Sequence, residues 1–147
     1  MSTPPVTLRD PDGLDYIESV LSANDLPTRD IHGKEGSLFV ATADGERVGV
    51  GGIEQYGTEG LLRSVVVERT YRREGYGTAL CTKLEANAHR DGIQTLYALT
   101  TTAAGFFGDR SYEGINRNAV PERLQRTAEF SELCPTTATC LRKRLDQ

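Results

Sequence analysis

The chain has 147 residues, 37% hydrophobic and 26% charged, a size and balance that fit one globular domain over 1–147 rather than two sizeable ones. Its 17 basic and 21 acidic residues give a formal charge of −4, with no basic block beyond Arg142-Lys143-Arg144, which argues against nucleic acid as a partner. No apolar run approaches the roughly 20 residues of a membrane span, and three cysteines without a CxxC pair, with His32 and His89 far apart, make neither a disulfide framework nor a zinc site.

The chain reads as a soluble cytoplasmic protein that binds no metal and needs no membrane. Val6 to Arg9 is a short strand. Asp10-Pro11 supplies a helix N-cap followed by proline at the first helical position, and Leu14, Ile17, Val20 and Leu21 recur at helical spacing until Asn24-Asp25 and Pro27 stop the stripe. Thr28 to Gly36 is polar and carries two glycines, as a loop or a short distorted helix does. Ser37 to Ala43 and Glu46 to Tyr56 are β-rich runs joined by Asp44-Gly45, a strong hairpin signal. Gly49, Gly51 and Gly52 in the second run mark a bulge or a close approach of another backbone. Leu61 to Glu68 is apolar enough to be a central strand buried on both faces.

After a polar stretch from Arg69 to Glu74, Gly75-Tyr76-Gly77 opens a helix in which Ala79, Leu80, Leu84 and Ala88 share a face, and Gly92 ends it. Thr95 to Thr101 is a strand, Thr102 to Arg110 a short helix, Tyr112 to Arg117 a strand, Pro121 to Leu133 a helix and Thr136 to Arg144 a last strand. With no internal repeat or linker, this order makes one α+β domain. Its expected sheet is mixed and mostly antiparallel, with six to seven strands flanked by helices.

The passage from Val65-Val66-Val67 through Arg72 into Gly75-Tyr76-Gly77 carries the chemistry. A helix N-terminus offers unpaired N–H groups and positive dipole character, and glycine lets a phosphate reach them. Arg72-x-x-Gly75-x-Gly77 resembles the acetyl-CoA pyrophosphate motif of the GNAT superfamily of N-acetyltransferases, and the order of elements follows that superfamily for nearly the whole chain. The phrases Glu54-Gln55-Tyr56-Gly57, Leu61-Leu62-Arg63-Ser64, Leu99-Thr100-Thr101-Thr102-Ala103, Phe106-Phe107 and Thr127-Ala128-Glu129-Phe130 with Leu133-Cys134-Pro135 are similar to the arsenic-resistance branch of these enzymes.

The resemblance implies acetyl transfer from acetyl-CoA to the primary amine of a small molecule, an amino-acid-like toxin or an arsenical. The backbone of Val65, Val66 and Val67 would pair with the pantetheine arm. Arg72 and the loop of Arg73, Glu74, Gly75, Tyr76, Gly77 and Thr78 would hold the pyrophosphate, and Phe106 would wall the pantetheine or serve the core. The alternatives are an acyl-CoA-binding module without turnover and an enzyme acting on a protein or polycationic amine. Many GNAT proteins pair through C-terminal elements, which implies a homodimer through Pro121 to Arg144.

Glu54 and Glu59, at strand ends, are both candidates for the general base, with Tyr56 beside the substrate. Arg63 is a cation inside the most apolar strand. It pairs with a carboxylate or lines the cleft and meets an anionic substrate group; the second is the expectation, with strand alternation placing Leu61, Arg63, Val65 and Val67 on one face. The superfamily's thiolate-protonating tyrosine is replaced by Phe107, and a glycine usual just beyond it is Ser111. Tyr112 is expected to pack in the sheet, and Cys134 and Cys140 to act as small hydrophobes.

Overall fold

The fold is described from a computed structural model covering residues 5–24, 28, 31, 35–72, 75–100, 104–127 and 139–145. Seven strands form a mixed sheet in the order β1-β2-β3-β4-β5-β7-β6: β1 (Thr7–Arg9), β2 (Leu38–Ala43), β3 (Glu46–Tyr56), β4 (Glu59–Val67), β5 (Thr95–Thr100), β6 (Glu113–Ile115) and β7 (Thr139–Arg144). Among the described residues four α-helices accompany them: α1 (Asp15–Ala23), α2 (Tyr76–Arg90), α3 (Ala104–Asp109) and α4 (Glu122–Gln125). The chain divides into two compact units, 1–53 with 64–87, and 54–63 with 88–147.

In the first unit, β1 runs antiparallel to β2, and β2 to β3, with Val40 opposite Val50 and an irregularity between Ala41 and Thr42. Asp44 and Gly45 both take positive φ, 52° and 80°, the conformation of a two-residue hairpin turn whose twist matches its strands. Ile17, Val20 and Leu21 of α1 pack with Ile31, Leu38, Val40, Val50 and Val66. Gly51, which points to the opposite face from Val50, lies against Leu84 of α2. The two helices therefore cover opposite faces of this part of the sheet.

The expected helix start at Asp10-Pro11 is corrected. Gly13 takes φ 99°, which no helix accommodates, and α1 begins at Asp15 with Leu14 as an N-cap that makes no side-chain cap bond. At the other end Asn24 stops the helix as expected: its N–H bonds the Leu21 carbonyl at 3.1 Å. In α2, Leu80, Leu84 and Ala88 are buried as their spacing predicts, and Gly92, at φ 91°, follows the helix.

In the second unit, β5 pairs with β4 in parallel from Glu59↔Thr95 to Leu61↔Tyr97. The last strand, β7, inserts between β5 and β6, antiparallel to both. Leu61, Tyr97, Val120, Leu124 and Cys140 form its core. Gly60 is held close by Ile93 and Leu96, whose side chains would lie 2.9 and 3.0 Å from an added Cβ.

Two further boundaries move. β6 is shorter than the expected Tyr112 to Arg117 because Asn116 caps a tight turn over Arg117–Ala119, its Oδ1 accepting from the Asn118 N–H. Within the expected helix from Pro121 to Leu133, α4 covers Glu122–Gln125, and 128–133 lie outside the described residues. The same holds for 128–138 within Pro121 to Arg144, the C-terminal segment expected to form a homodimer.

Candidate active site

Glu54, Tyr56 and Arg63 meet in one cluster, in which Glu54 and Arg63 are buried and Tyr56 is half-buried. Arg63 Nη1 donates to Glu54 Oε2 at 2.9 Å, and the Tyr56 hydroxyl donates to Glu54 Oε1 at 2.5 Å. The ion pair is nearly dry, with side-chain exposures of 1% for Arg63 and 5% for Glu54. Each carboxylate oxygen thus carries one of these donors, which is how a buried charge is held without the full cost of desolvation.

This corrects the expectation that Arg63 lines the cleft to meet a substrate anion. A guanidinium in an apolar strand must be paired, and Glu54 on the preceding strand supplies the carboxylate. A two-residue turn at Gly57-Thr58 would set residue 54 opposite 61 and put 63 one step along the same face. Glu59 is separate: partly exposed at the start of β4, it pairs with Arg123 Nη2 at 3.4 Å.

Ser64 takes φ 58° inside β4. A left-handed residue in a strand makes a bulge and interrupts the two-residue period, so the single face expected for Leu61, Arg63, Val65 and Val67 does not hold across it. Beyond Ser64, Val66 is buried in the α1 core while Val65 and Val67 are half-buried. Nothing in the local composition signals the bulge, since serine is usual in neither role.

Gly75 takes φ 87° and α2 starts at Tyr76. The Ala79 N–H bonds the Gly75 carbonyl at 3.1 Å, so the helix is closed from its first turn. Tyr76 is buried, its ring edge-on to Tyr71 at 5.7 Å. Gly77 and Thr78 continue the first turn, and the Thr78 carbonyl accepts from Thr82 Oγ1. Arg73 and Glu74 lie outside the described residues. Arg72, next to them, has an exposed guanidinium that donates from Nε to the Val67 carbonyl at 2.9 Å and from Nη2 to Asn24 Oδ1 at 2.5 Å. In the sequence, Asn24 signals only the end of a helix.

Phe106 and Phe107 stack edge to face at 5.3 Å, and Phe107 does the same with Tyr112 at 5.2 Å. Phe107 and Tyr112 are buried and Phe106 is half-buried, so Tyr112 packs as expected. Ser111 has φ 74°, a conformation that glycine would adopt without strain. Cys81 and Cys140 are buried thiols, and burial pushes the Cys140 thiol upward; Cys134 lies outside the described residues. Among the described residues no group of acidic, histidine and cysteine side chains could hold a metal ion, and no helix is long and apolar enough to cross a membrane.

A seven-stranded mixed sheet with a bulged central strand, followed by a glycine turn into a helix, is the α+β fold that the motif and the order of elements imply. Residues 8–111 match the model of the acetyltransferase (GNAT) family, and the chain belongs to that family.

An uncharacterized N-acetyltransferase of Chlorobaculum tepidum is 29% identical over 104 residues, 70% of this chain and 64% of that protein. An amino-acid acetyltransferase of Ectopseudomonas mendocina is 36% identical over 62 residues, 42% of this chain and 14% of that protein. The chain thus spans less than two thirds of the length of the curated relatives it matches. N-acetylglutamate synthase from Neisseria gonorrhoeae, solved with coenzyme A and N-acetyl-glutamate, superimposes with TM-score 0.83 at 18% identity, over 99% of this chain and 36% of that one. Rv2747 from Mycobacterium tuberculosis, solved in complex with CoA, gives 0.79 at 20% identity over 96% and 99%.

Proposed function

We propose that this protein transfers an acetyl group from acetyl-CoA to the primary amine of a small, amino-acid-like molecule. Family membership over residues 8–111 is the observation that carries the reading. Acetyl-CoA as the donor is supported by the resemblance of Arg72-x-x-Gly75-x-Gly77 to a pyrophosphate motif and by the positive φ of Gly75 at the opening of a 15-residue helix. In this reading the N–H groups from Arg73 to Thr78 hold the pyrophosphate. The backbone of Val65–Val67 pairs with the pantetheine, and Phe106 packs against it.

The reaction is attack by the neutral amine on the thioester carbonyl. The C–N bond forms, the C–S bond breaks, and the amine loses one proton. A backbone N–H of Val65–Val67 receives the developing oxyanion, and positioning of the two reactants supplies much of the rate. The partly buried hydrogen bond from Tyr56 to Glu54 favours a relay in which Tyr56 takes the amine proton as its own passes to Glu54. Glu59, tied to Arg123, is less suited to it. With phenylalanine at 107 the CoA thiolate takes its proton from solvent, which a leaving group with pKa about 8.5 tolerates.

The relatives named amino-acid acetyltransferase support an amino-acid-like acceptor. The phrases shared with the arsenic-resistance branch support an arsenical within that class. The same phenylalanine favours a second reading, an acyl-CoA-binding module without turnover.

Titration calorimetry with acetyl-CoA, followed by thiol release against amino acids, phosphinic and arsenical analogues, polyamines and aminoglycosides, tests both. The enzyme reading expects binding and turnover with an amino-acid-like amine, with Tyr56→Phe and Glu54→Gln each lowering kcat about 10²–10⁴-fold and flattening the acid limb of the pH–rate profile. Binding without turnover on the whole panel supports the module, and absence of binding removes both.

A further inference from the structure

Three hydrogen bonds join the end of α1 to the end of β4. Asn24 Nδ2 donates to the Val20 carbonyl at 2.8 Å, Asn24 Oδ1 accepts from Arg72 Nη2, and Arg72 Nε donates to the Val67 carbonyl at 2.9 Å. All four residues belong to the same compact unit.

The orientation of the Asn24 amide follows from its partners. Its NH2 covers a helix-end carbonyl that has no partner further along the helix, which turns its oxygen to the guanidinium. The flipped amide would set donors against donors on Arg72 and acceptor against acceptor on Val20. Arg72 is an exposed side chain, and such a chain normally samples many rotamers, which a ligand must then freeze. Here its Nε–Nη2 edge is occupied by two oxygens from different elements. That fixes the plane of the guanidinium and leaves the Nη1–Nη2 edge, a fork that fits phosphate oxygens bidentately.

We infer that Asn24 is a positioning residue for acetyl-CoA: with the Val67 carbonyl it holds the Arg72 guanidinium in a fixed plane, ready for the pyrophosphate. The inference rests on the reading above in which Arg72 meets that group. Asn24 touches no part of the cosubstrate in this scheme and acts only through Arg72.

The test compares wild type, Asn24→Ala, Arg72→Ala and the double variant by calorimetry with acetyl-CoA, and by kinetics with acetyl-CoA and S-acetylpantetheine, a donor without pyrophosphate. Asn24→Ala is expected to weaken acetyl-CoA binding about three- to tenfold, the scale of one long side chain left to be immobilised. The KM for acetyl-CoA rises in step, while kcat and the parameters for S-acetylpantetheine stay at wild-type values. Arg72→Ala is expected to weaken acetyl-CoA binding further, with Asn24→Ala adding nothing in that background. Asn24→Asp, which keeps the acceptor oxygen but loses the donor to Val20, should regain most of the affinity despite a less stable helix end.

If Arg72→Ala binds acetyl-CoA like wild type, the pyrophosphate reading of Arg72 fails and takes the inference with it. If Arg72→Ala is weakened while Asn24→Ala is not, the inference alone falls. Equal losses with both donors in Asn24→Ala would also overturn it, by showing that Asn24 serves only to hold α1.

Discussion

Glu54 and Arg63 are committed to each other, because each is a buried charge whose compensation includes the other. Removing one leaves the other charged in an apolar setting, so Arg63→Ala should cost about 3–5 kcal/mol of stability. The double variant Glu54→Ala/Arg63→Ala should cost less than the sum of the two single changes. Urea midpoints of the four proteins give the coupling directly, and additive losses would show that the pair is not the source of the cost.

Ser111 makes the opposite case at the same scale. It is exposed with φ 74°, and a side chain there costs roughly 1–2 kcal/mol that glycine avoids, partly offset by the greater freedom of glycine in the unfolded chain. Ser111→Gly is therefore expected to stabilise by about 0.5–1 kcal/mol, read as a higher urea midpoint with unchanged slope.

The elements of the first unit depend on how closely β3 can approach its neighbours. A methyl group on Gly49 would run into the Val66 carbonyl oxygen, a backbone atom that cannot turn aside, whereas one on Gly51 would meet Leu84 Cδ1 at 2.8 Å, the end of a flexible side chain. Both alanines overpack the core, at about 1–3 kcal/mol. Gly49→Ala should fall at the upper end and Gly51→Ala at the lower, by thermal or urea unfolding. Gly49→Ala should also weaken acetyl-CoA binding, because it displaces the β4 backbone on which the proposed pantetheine contact depends. Reversed stabilities of the two variants would show that the sheet yields more readily than the helix.

For the whole molecule, three tyrosines set the alkaline limit. Burial, then the Glu68 carboxylate that accepts its hydroxyl proton, raises Tyr16 well above the ordinary value of 10.0. Burial and then the charge of Glu59 raise Tyr97, and the hydrogen bond to Glu46 raises Tyr71. In each case the folded state holds its proton to higher pH than the unfolded chain does. The stabilisation is present in full below about pH 10 and is lost as pH rises through the folded values. Urea midpoints at successive pH values should fall above pH 10. Tyr16→Phe should flatten that decline, while a midpoint independent of pH there would remove these tyrosines from the account.

Local chemistry sufficed for some of this and not for the rest. The Asp44-Gly45 hairpin, the stripe of Ile17, Val20 and Leu21, the turn at Gly75 and the close approach at Gly49 were legible because glycine and apolar spacing act within a few residues of themselves. The start of α1 was not, because the Asp10-Pro11 signal competed with a left-handed Gly13 that the sequence did not rank. The acetyltransferase class followed from a short motif in a particular order of elements, both linear properties of the chain.

The parallel pairing of β4 with β5, the insertion of β7 between β5 and β6, the bulge at Ser64 and the burial of Arg63 against Glu54 were decided by tertiary structure. So was the bond from Asn24 to Arg72, 48 residues apart. Sequence by itself determined what each segment could be. Which segments became neighbours, and hence which charges were buried and which donors were held in place, depended on contacts between residues distant in the chain, for which no local spacing encodes the partner.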